Sequence, residues 1–185
     1  MQDLGSKVLK TERLTLRPFQ TDDAEEMYQN WAHDPEVTKY LTWTPHVNLD
    51  MTRAYCSQME MDAMNPNTYH WAIVYEGQLI GDITINRANS PEAGFVGYCM
   101  AKRFWGKGLM TEAFQEVIRF CFEEVGFHRI EGTHAKQNIG SSRVMEKCGL
   151  QYEGTKRDGM RLPSTGEWVD IVVRGILKED YFSKK

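Results

Sequence analysis

The stretch Val96-Gly97-Tyr98-Cys99-Met100-Ala101-Lys102-Arg103-Phe104-Trp105-Gly106-Lys107-Gly108-Leu109-Met110-Thr111-Glu112-Ala113 narrows what this chain can fold into more than any other. It opens as an apolar strand, turns through a basic, glycine-bearing loop and enters a long helix. From Leu109 to Val125 apolar residues recur every four positions, at Leu109, Ala113, Val117, Cys121 and Val125, and Phe114, Ile118 and Phe122 widen the stripe. A helix entered this way points unpaired N–H groups and the positive end of its dipole at the loop, and the glycines let an anion reach the backbone without a Cβ in the way. Such an order builds an anion site that a diphosphate can approach, to which Arg103 and Lys107 can add charge.

Two common nucleotide loops do not match it. A dinucleotide fingerprint follows a first strand and has a third glycine and an acidic ribose partner, whereas this loop comes late and has neither. A P-loop ends in Gly-Lys-Ser/Thr, while Lys107 here is followed by Gly108 and Leu109. Dinucleotide chemistry and nucleotide hydrolysis are therefore disfavoured.

Around this segment the chain alternates strands and helices. Leu14, Leu16 and Phe19 alternate in a first strand that stops at Pro18, and Thr21-Asp22-Asp23 caps a helix carrying Met27, Tyr28 and Trp31 that His33-Asp34-Pro35 interrupts. A second helix is expected to start near Asp50, and the aromatic, Pro-containing stretch Tyr40 to Leu49 between them suits a substrate-lining loop. The runs Trp71 to Tyr75, Leu79 to Ile85 and Phe95 to Met100 form an antiparallel meander. Arg129 to Ala135 reads as a strand, Ser141 to Cys148 as a short helix ended by Gly149, and Trp168 to Leu177 as a last strand.

With 185 residues and no low-complexity linker, residues 1–185 are expected to form a single domain. No apolar stretch near the amino terminus reads as a signal peptide or membrane span, so a cytoplasmic location without a membrane partner is expected. Cys56, Cys99, Cys121 and Cys148 form no CxxC pair, which argues against a zinc site or disulfide framework; the last three stand in apolar surroundings typical of buried thiols. A net charge of −4 with a pI near 5.8 argues against nucleic acid as partner and fits a basic protein or cationic amine better.

The loop Arg103-Phe104-Trp105-Gly106-Lys107-Gly108 followed by Met110-Thr111-Glu112-Ala113 resembles the acetyl-CoA pyrophosphate loop of the GNAT superfamily of N-acetyltransferases. Asn138-Ile139-Gly140-Ser141-Ser142-Arg143-Val144-Met145-Glu146-Lys147-Cys148-Gly149-Leu150 is similar to that superfamily's second motif, and the two stand in the right order. Thr11-Glu12-Arg13-Leu14-Thr15-Leu16-Arg17-Pro18 and Val96-Gly97-Tyr98 narrow the likeness to the RimJ/RimL-type branch, whose members acetylate ribosomal-protein amino termini. The resemblance implies a mixed α/β fold, a twisted and mostly antiparallel sheet of about seven strands flanked by about four helices. It implies acetyl-CoA as co-substrate, no metal, and direct attack of an amine on the thioester.

Carried over residue by residue, the resemblance implies that Cys99, Met100, Ala101, Arg103 to Thr111 and Asn138 hold the coenzyme. Met100 N–H would meet the oxyanion, Asn138 would lie beside the coenzyme arm, and Ser141 would donate to the departing thiolate. Ser141 is equally suited to cap its helix. One position departs from the branch: a carboxylate often stands two residues before the Gly-Tyr pair, and here that residue is Phe95. Glu92, the nearest remaining acid, and His134 are alternative proton acceptors, each with an ordinary solvated or structural reading beside it. Trp31, Tyr40, Trp43 and Tyr69 are aromatic residues that either pack in the core or line an acceptor pocket. A protein amino terminus is the expected acceptor; a small amine and a non-catalytic coenzyme-binding module are the alternatives, and the carboxyl-end strands are where a second copy would meet the first.

Overall fold

The computed structural model describes residues 1–183. Among these, eight strands form one sheet in the order β1-β2-β3-β4-β5-β6-β8-β7. They are β1 (Leu9–Lys10), β2 (Leu14–Arg17), β3 (Tyr69–Tyr75), β4 (Gln78–Arg87), β5 (Ala93–Met100), β6 (Arg129–Ala135), β7 (Gln151–Arg161) and β8 (Trp168–Leu177). Six of them follow from the sequence pattern. The short β1 and the long edge strand β7 do not, and they bring the expected count of about seven to eight.

Every pairing is antiparallel except that of β5 with β6, and this exception creates the site. The two strands are in register only from Ala93↔Arg129 to Phe95↔Glu131, after which each runs on without the other. At the crotch of the wedge they stay close because residue 132 is glycine: a Cβ there would stand 2.7 Å from Val96 Cγ1 and 2.8 Å from Met145 Cε. On its other side β5 stays paired with β4 as far as Gly81↔Met100.

The helices are α1 (Ala24–Met27), which continues in wider turns to Ala32, α2 (Pro35–Thr38), α3 (Leu49–Asp62), α4 (Leu109–Arg119), α5 (Ile139–Lys147) and α6 (Lys178–Phe182). As its four-residue periodicity predicts, α4 carries its apolar stripe through a wider-turned extension to Val125. Phe120 of that extension meets Trp71 of β3 edge to face, with ring centroids 5.8 Å apart. The opposite face of the sheet is covered by Phe19, α1 and α3, with Met27, Trp31 and Cys56 buried beneath them. Trp31, on this face, and Tyr69, which packs against Phe120 and Phe127 on the α4 face, both considered for an acceptor pocket, are 0% and 1% exposed and belong to the core. A second small cluster, Ala135, Leu162, Val169 and Ile171, lies under the β7–β8 hairpin and packs against Tyr40. No helix among the described residues is long and apolar enough to cross a membrane.

Candidate functional site

The wedge opens into a cavity of about 590 Å³, the size of a small-molecule site. One wall is the end of β5 with the loop into α4, a second is α5, and a third comes from α2 and the residues after it, Val37, Tyr40 and Leu41.

The loop holds its shape through backbone conformation. Gly106 and Gly108 have φ of 75° and 77°, and a Cβ at Gly106 would meet nothing within 4 Å, so handedness rather than crowding calls for glycine there. Gly108 is the N-cap of α4 and exposes that helix's free N–H groups to the cavity. An anionic group fits such a cradle, and Arg143 and Lys147, one turn apart on α5, add cations to the wall.

The loop is clamped from behind. Glu112, in the first turn of α4, accepts hydrogen bonds from Thr11 Oγ1 at 2.5 Å, Arg13 N at 2.9 Å and Arg13 Nε at 2.7 Å. Arg13 Nη1 also donates to the Lys107 carbonyl at 3.2 Å. Burial pushes the Glu112 carboxyl upward, and the hydrogen bonds from Thr11 and Arg13 with the Arg13 charge outweigh it, so the group titrates below its ordinary value. This contact explains the Thr11-Glu12-Arg13 signature: two of its residues fasten the edge of the sheet to the helix behind the loop.

At the wedge, Ala101 N–H donates to Ile80 O on the β4 side at 2.8 Å. Because N–H directions alternate along a strand, the Met100 N–H points the other way, to the edge that β6 has left. The Met100 carbonyl is taken by the indole N–H of Trp105 at 2.7 Å, which leaves the N–H as the open group of that residue.

Across the wedge stands α5. Asn138 caps it, its Oδ1 accepting Ser141 N–H at 3.1 Å. Ser141 Oγ lies 2.8 Å from the hydroxyl of Tyr98, a β5 residue. Burial, offset in part by the Ser141 hydrogen bond, raises the Tyr98 phenol above its ordinary value, so it stays protonated. The Tyr98–Ser141 pair is a feature that sequence reasoning missed; its only trace was the Gly-Tyr pair, which names the tyrosine but not its partner.

Of the residues expected to hold the coenzyme, Cys99, Met100, Phe104, Trp105, Gly106, Gly108, Leu109, Met110, Thr111 and Asn138 line the cavity, and Ser141 joins them. Three others are not brought to it. Ala101 is fully buried just past the end of β5. Arg103 turns to Gln78 Oε1 at 3.0 Å, and its guanidinium lies over Phe104. Lys107 Nζ sits 5.1 Å from the centre of the same ring.

The alternative proton acceptors fare differently. Glu92 is exposed in its loop, where its backbone carbonyl accepts His128 N–H. His134 is buried, bonded through Nδ1 to the Ala135 carbonyl, and lies outside the cavity lining. The stretch Tyr40 to Leu49 divides: Tyr40 and Leu41 line the cavity, while Trp43 packs on His46, whose Nδ1 lies 2.8 Å from Thr52 Oγ1 of α3. Ser164, at the tip of the β7–β8 hairpin, bonds the Lys39 carbonyl at 3.0 Å, so hairpin and stretch meet beside the cavity.

The chain is 29% identical to a protein named uncharacterized N-acetyltransferase p20 from Bacillus licheniformis, over 95% of this chain and 98% of the relative. It is 26% identical to [ribosomal protein uS5]-alanine N-acetyltransferase of Escherichia coli K12, over 94% and 92% of the two chains. The crystal structure of an acetyltransferase (GNAT family) from Bacillus anthracis superimposes with a TM-score of 0.82 at 27% identity, covering 94% of this chain and 99% of that one. Residues 13–151, from the Arg13 clamp past the end of α5, match the family model described as an acetyltransferase (GNAT) domain, so the chain belongs to the GNAT family of N-acetyltransferases.

Proposed function

We propose that this chain, a single cytoplasmic domain, moves the acetyl group of acetyl-CoA to the α-amino group of a protein amino terminus, a ribosomal protein among its acceptors, with both substrates bound together. The observation that carries this reading is the make-up of the cavity. One half is an anion cradle of glycines and a helix N-terminus, the other half is apolar and aromatic, and among the described residues no Asp or Glu lines it. A pocket for a small polyvalent cation would present carboxylates. A peptide amino terminus needs none, because its reference pKa near 8 against about 10.4 for a lysine makes the neutral amine about 3 kcal/mol cheaper to form. The relative that acetylates the alanine of ribosomal protein uS5 supports the same class of acceptor.

Acetyl-CoA supplies the activated thioester. The loop from Gly106 to Gly108 and the N-terminus of α4 hold its diphosphate, with Arg143 and Lys147 as cations on the opposite wall and the Asn138 amide N–H beside the arm. Met100 N–H points to where negative charge develops on the thioester oxygen, a pre-aligned donor of a kind worth roughly 100-fold or more in rate. Ser141 donates its hydroxyl hydrogen to the leaving sulfur while its oxygen accepts from Tyr98. Since a departing thiolate resembles a thiol of pKa near 8.5, a hydrogen bond from serine suffices without full proton transfer.

The test incubates the protein with acetyl-CoA and a mixed panel of peptides with free amino termini, polyamines, amino acids and aminoglycosides, reading free-thiol release and product mass, with Gly108→Trp as the blocked control. Acetylation of peptide termini by the parent alone is expected. Turnover confined to the small amines would replace the acceptor class, and coenzyme binding with no product from any amine would leave a binding module.

A further inference from the structure

An amine that attacks a thioester must lose a proton, and Phe95 stands where the resemblance to the RimJ/RimL-type branch leads to the expectation of a carboxylate. Phe95, Gly97 and Cys99 share one face of β5, opposite the face of Tyr98, which packs toward Phe114 of α4. On the Cys99 face, β3, β4 and β5 bring three polar side chains together. Asp82 and Cys99 are direct partners across β4 and β5, and His70 is placed on the same face by the pairings His70↔Thr84 and Ala72↔Asp82. Asp82 Oδ1 accepts the Cys99 thiol at 2.7 Å and Oδ2 lies 2.9 Å from His70 Nε2. Phe19 closes over His70, with ring centroids 5.0 Å apart, and Met59 Sδ lies 3.0 Å from its Nδ1.

Asp82 is 8% exposed, and no Lys or Arg pairs with it among the described residues. Facing it from α3 is Tyr55, whose phenol burial and the nearby Asp82 charge raise above its ordinary value, so that it too stays neutral. Cys99 is the member of the group that lines the cavity, directly before Met100. Burial, with the Asp82 charge and hydrogen bond behind it, holds the Cys99 thiol well above its ordinary value, so the sulfur carries a proton aimed at Asp82.

We propose that Asp82, held by His70 and reached through the Cys99 thiol, takes the proton that the attacking amine loses. The proposal rests on the acetyl-transfer reading above. As the amine nitrogen bonds to the thioester carbon, its proton passes to Cys99 Sγ while the Sγ proton passes to Asp82 Oδ1. The C–S bond breaks with its electron pair on the coenzyme sulfur. Asp82 is left as a neutral acid beside His70, and the proton returns through Cys99 to water once the products have gone. The buried carboxylate thus reaches the cavity through a side chain that is polarisable and exchangeable yet neutral, and the apolar wall is kept.

Cys99→Ala, Cys99→Ser and Asp82→Asn are compared with the parent by kcat against pH, acetyl-CoA affinity and melting temperature, using an alanine-terminated peptide as acceptor. The same variants are assayed for slow acetyl-CoA hydrolysis, in which water takes the amine's place. Cys99→Ala is expected to lose about 100-fold in kcat, the low end for proton transfer by a positioned group, with unchanged coenzyme affinity. Cys99→Ser recovers most of that loss because a hydroxyl also relays. Asp82→Asn matches Cys99→Ala in kcat, and combining the two costs no more than either alone. A Cys99→Ala protein with parental kcat and pH profile overturns the relay, as does an Asp82→Asn protein that loses activity only in step with coenzyme affinity and melting temperature. A parent that binds acetyl-CoA yet transfers to neither peptide nor water overturns the transferase reading itself.

Discussion

The two sides of the cavity are built by opposite strategies. The side proposed to hold the coenzyme is contiguous in sequence: β5, the loop and α4 follow one another over residues 93 to 119, and α5 closes the wall from a second short motif. The side proposed for the acceptor comes from α2 and the residues after it, Val37, Tyr40 and Leu41, and is braced from more than a hundred positions away by the hairpin-tip contact of Ser164 with Lys39. A site whose parts are neighbours in the chain rests on backbone geometry, whereas one assembled from distant parts rests on side chains that can be exchanged singly. The first should fail all at once when a backbone position is lost, the second by degrees.

The largest effect is therefore expected at Gly108. Its φ of 77° disfavours any L side chain, at about 1 to 2 kcal/mol, and an indole there would also fill the cradle at the start of α4. Gly108→Trp should lower acetyl-CoA affinity by more than about 100-fold in calorimetry, with the melting temperature falling only by the roughly 2 to 8 °C that the strain implies. Affinity within a few-fold of the parent would mean that the coenzyme binds elsewhere.

Next comes the pair that joins the two motifs. Ser141→Ala should cost roughly 10- to 100-fold in kcat with a small change in KM for acetyl-CoA, and Tyr98→Phe less, since it removes only the partner that orients the serine. Equal losses in kcat and affinity would make both residues structural, with Ser141 serving α5 alone. On the acceptor side, Tyr40→Ala should raise KM for the amine by about 10-fold and leave coenzyme affinity as it is, as expected when one aromatic side chain is cut back from a pocket wall. A loss of coenzyme affinity instead would show that the two halves are not separable.

The same contrast explains what could be read from the sequence. The amphipathic stripe of α4, the apolar runs of β3, β4 and β8 and the alternation of β6 are forced by burial against the core, so they are visible in the sequence. β7 is exposed along nearly its whole length, is broken by register shifts at Tyr152/Gly154 and Lys156/Met160, and carries Asp158 at φ 45°. Its strand form comes from pairing with β8, and no alternation records that. The loop that lines the cavity was legible because glycine, cation and helix start are adjacent in the chain. Arg103 and Lys107 stand off the cavity wall because a motif gives positions and not the directions of long side chains, here drawn to the Phe104 ring. Nothing in the sequence could bring Asp82 to Cys99 or Ser141 to Tyr98, since those contacts depend on strand register and on the placement of α5.

The smallest expected effect tests how far the coenzyme side depends on support from outside its own motif. Glu112→Gln keeps the shape of the side chain and removes the charge that Arg13 answers. The pair is partly exposed, 40% at Arg13 and 19% at Glu112, so its worth is about 1 kcal/mol or less, and the affinity for acetyl-CoA should fall by no more than about 5-fold. Because the carboxyl titrates below its ordinary value in the folded chain, its contribution is complete above the unfolded value near 4.3 and drains away as pH falls through the folded one. The melting temperature of the parent should therefore drop more steeply in acid than that of Glu112→Gln, the two curves converging as pH falls. Parallel curves would mean that Thr11 and the backbone hold the loop without the ion pair, and that the coenzyme side owes nothing to charges brought from the other end of the chain.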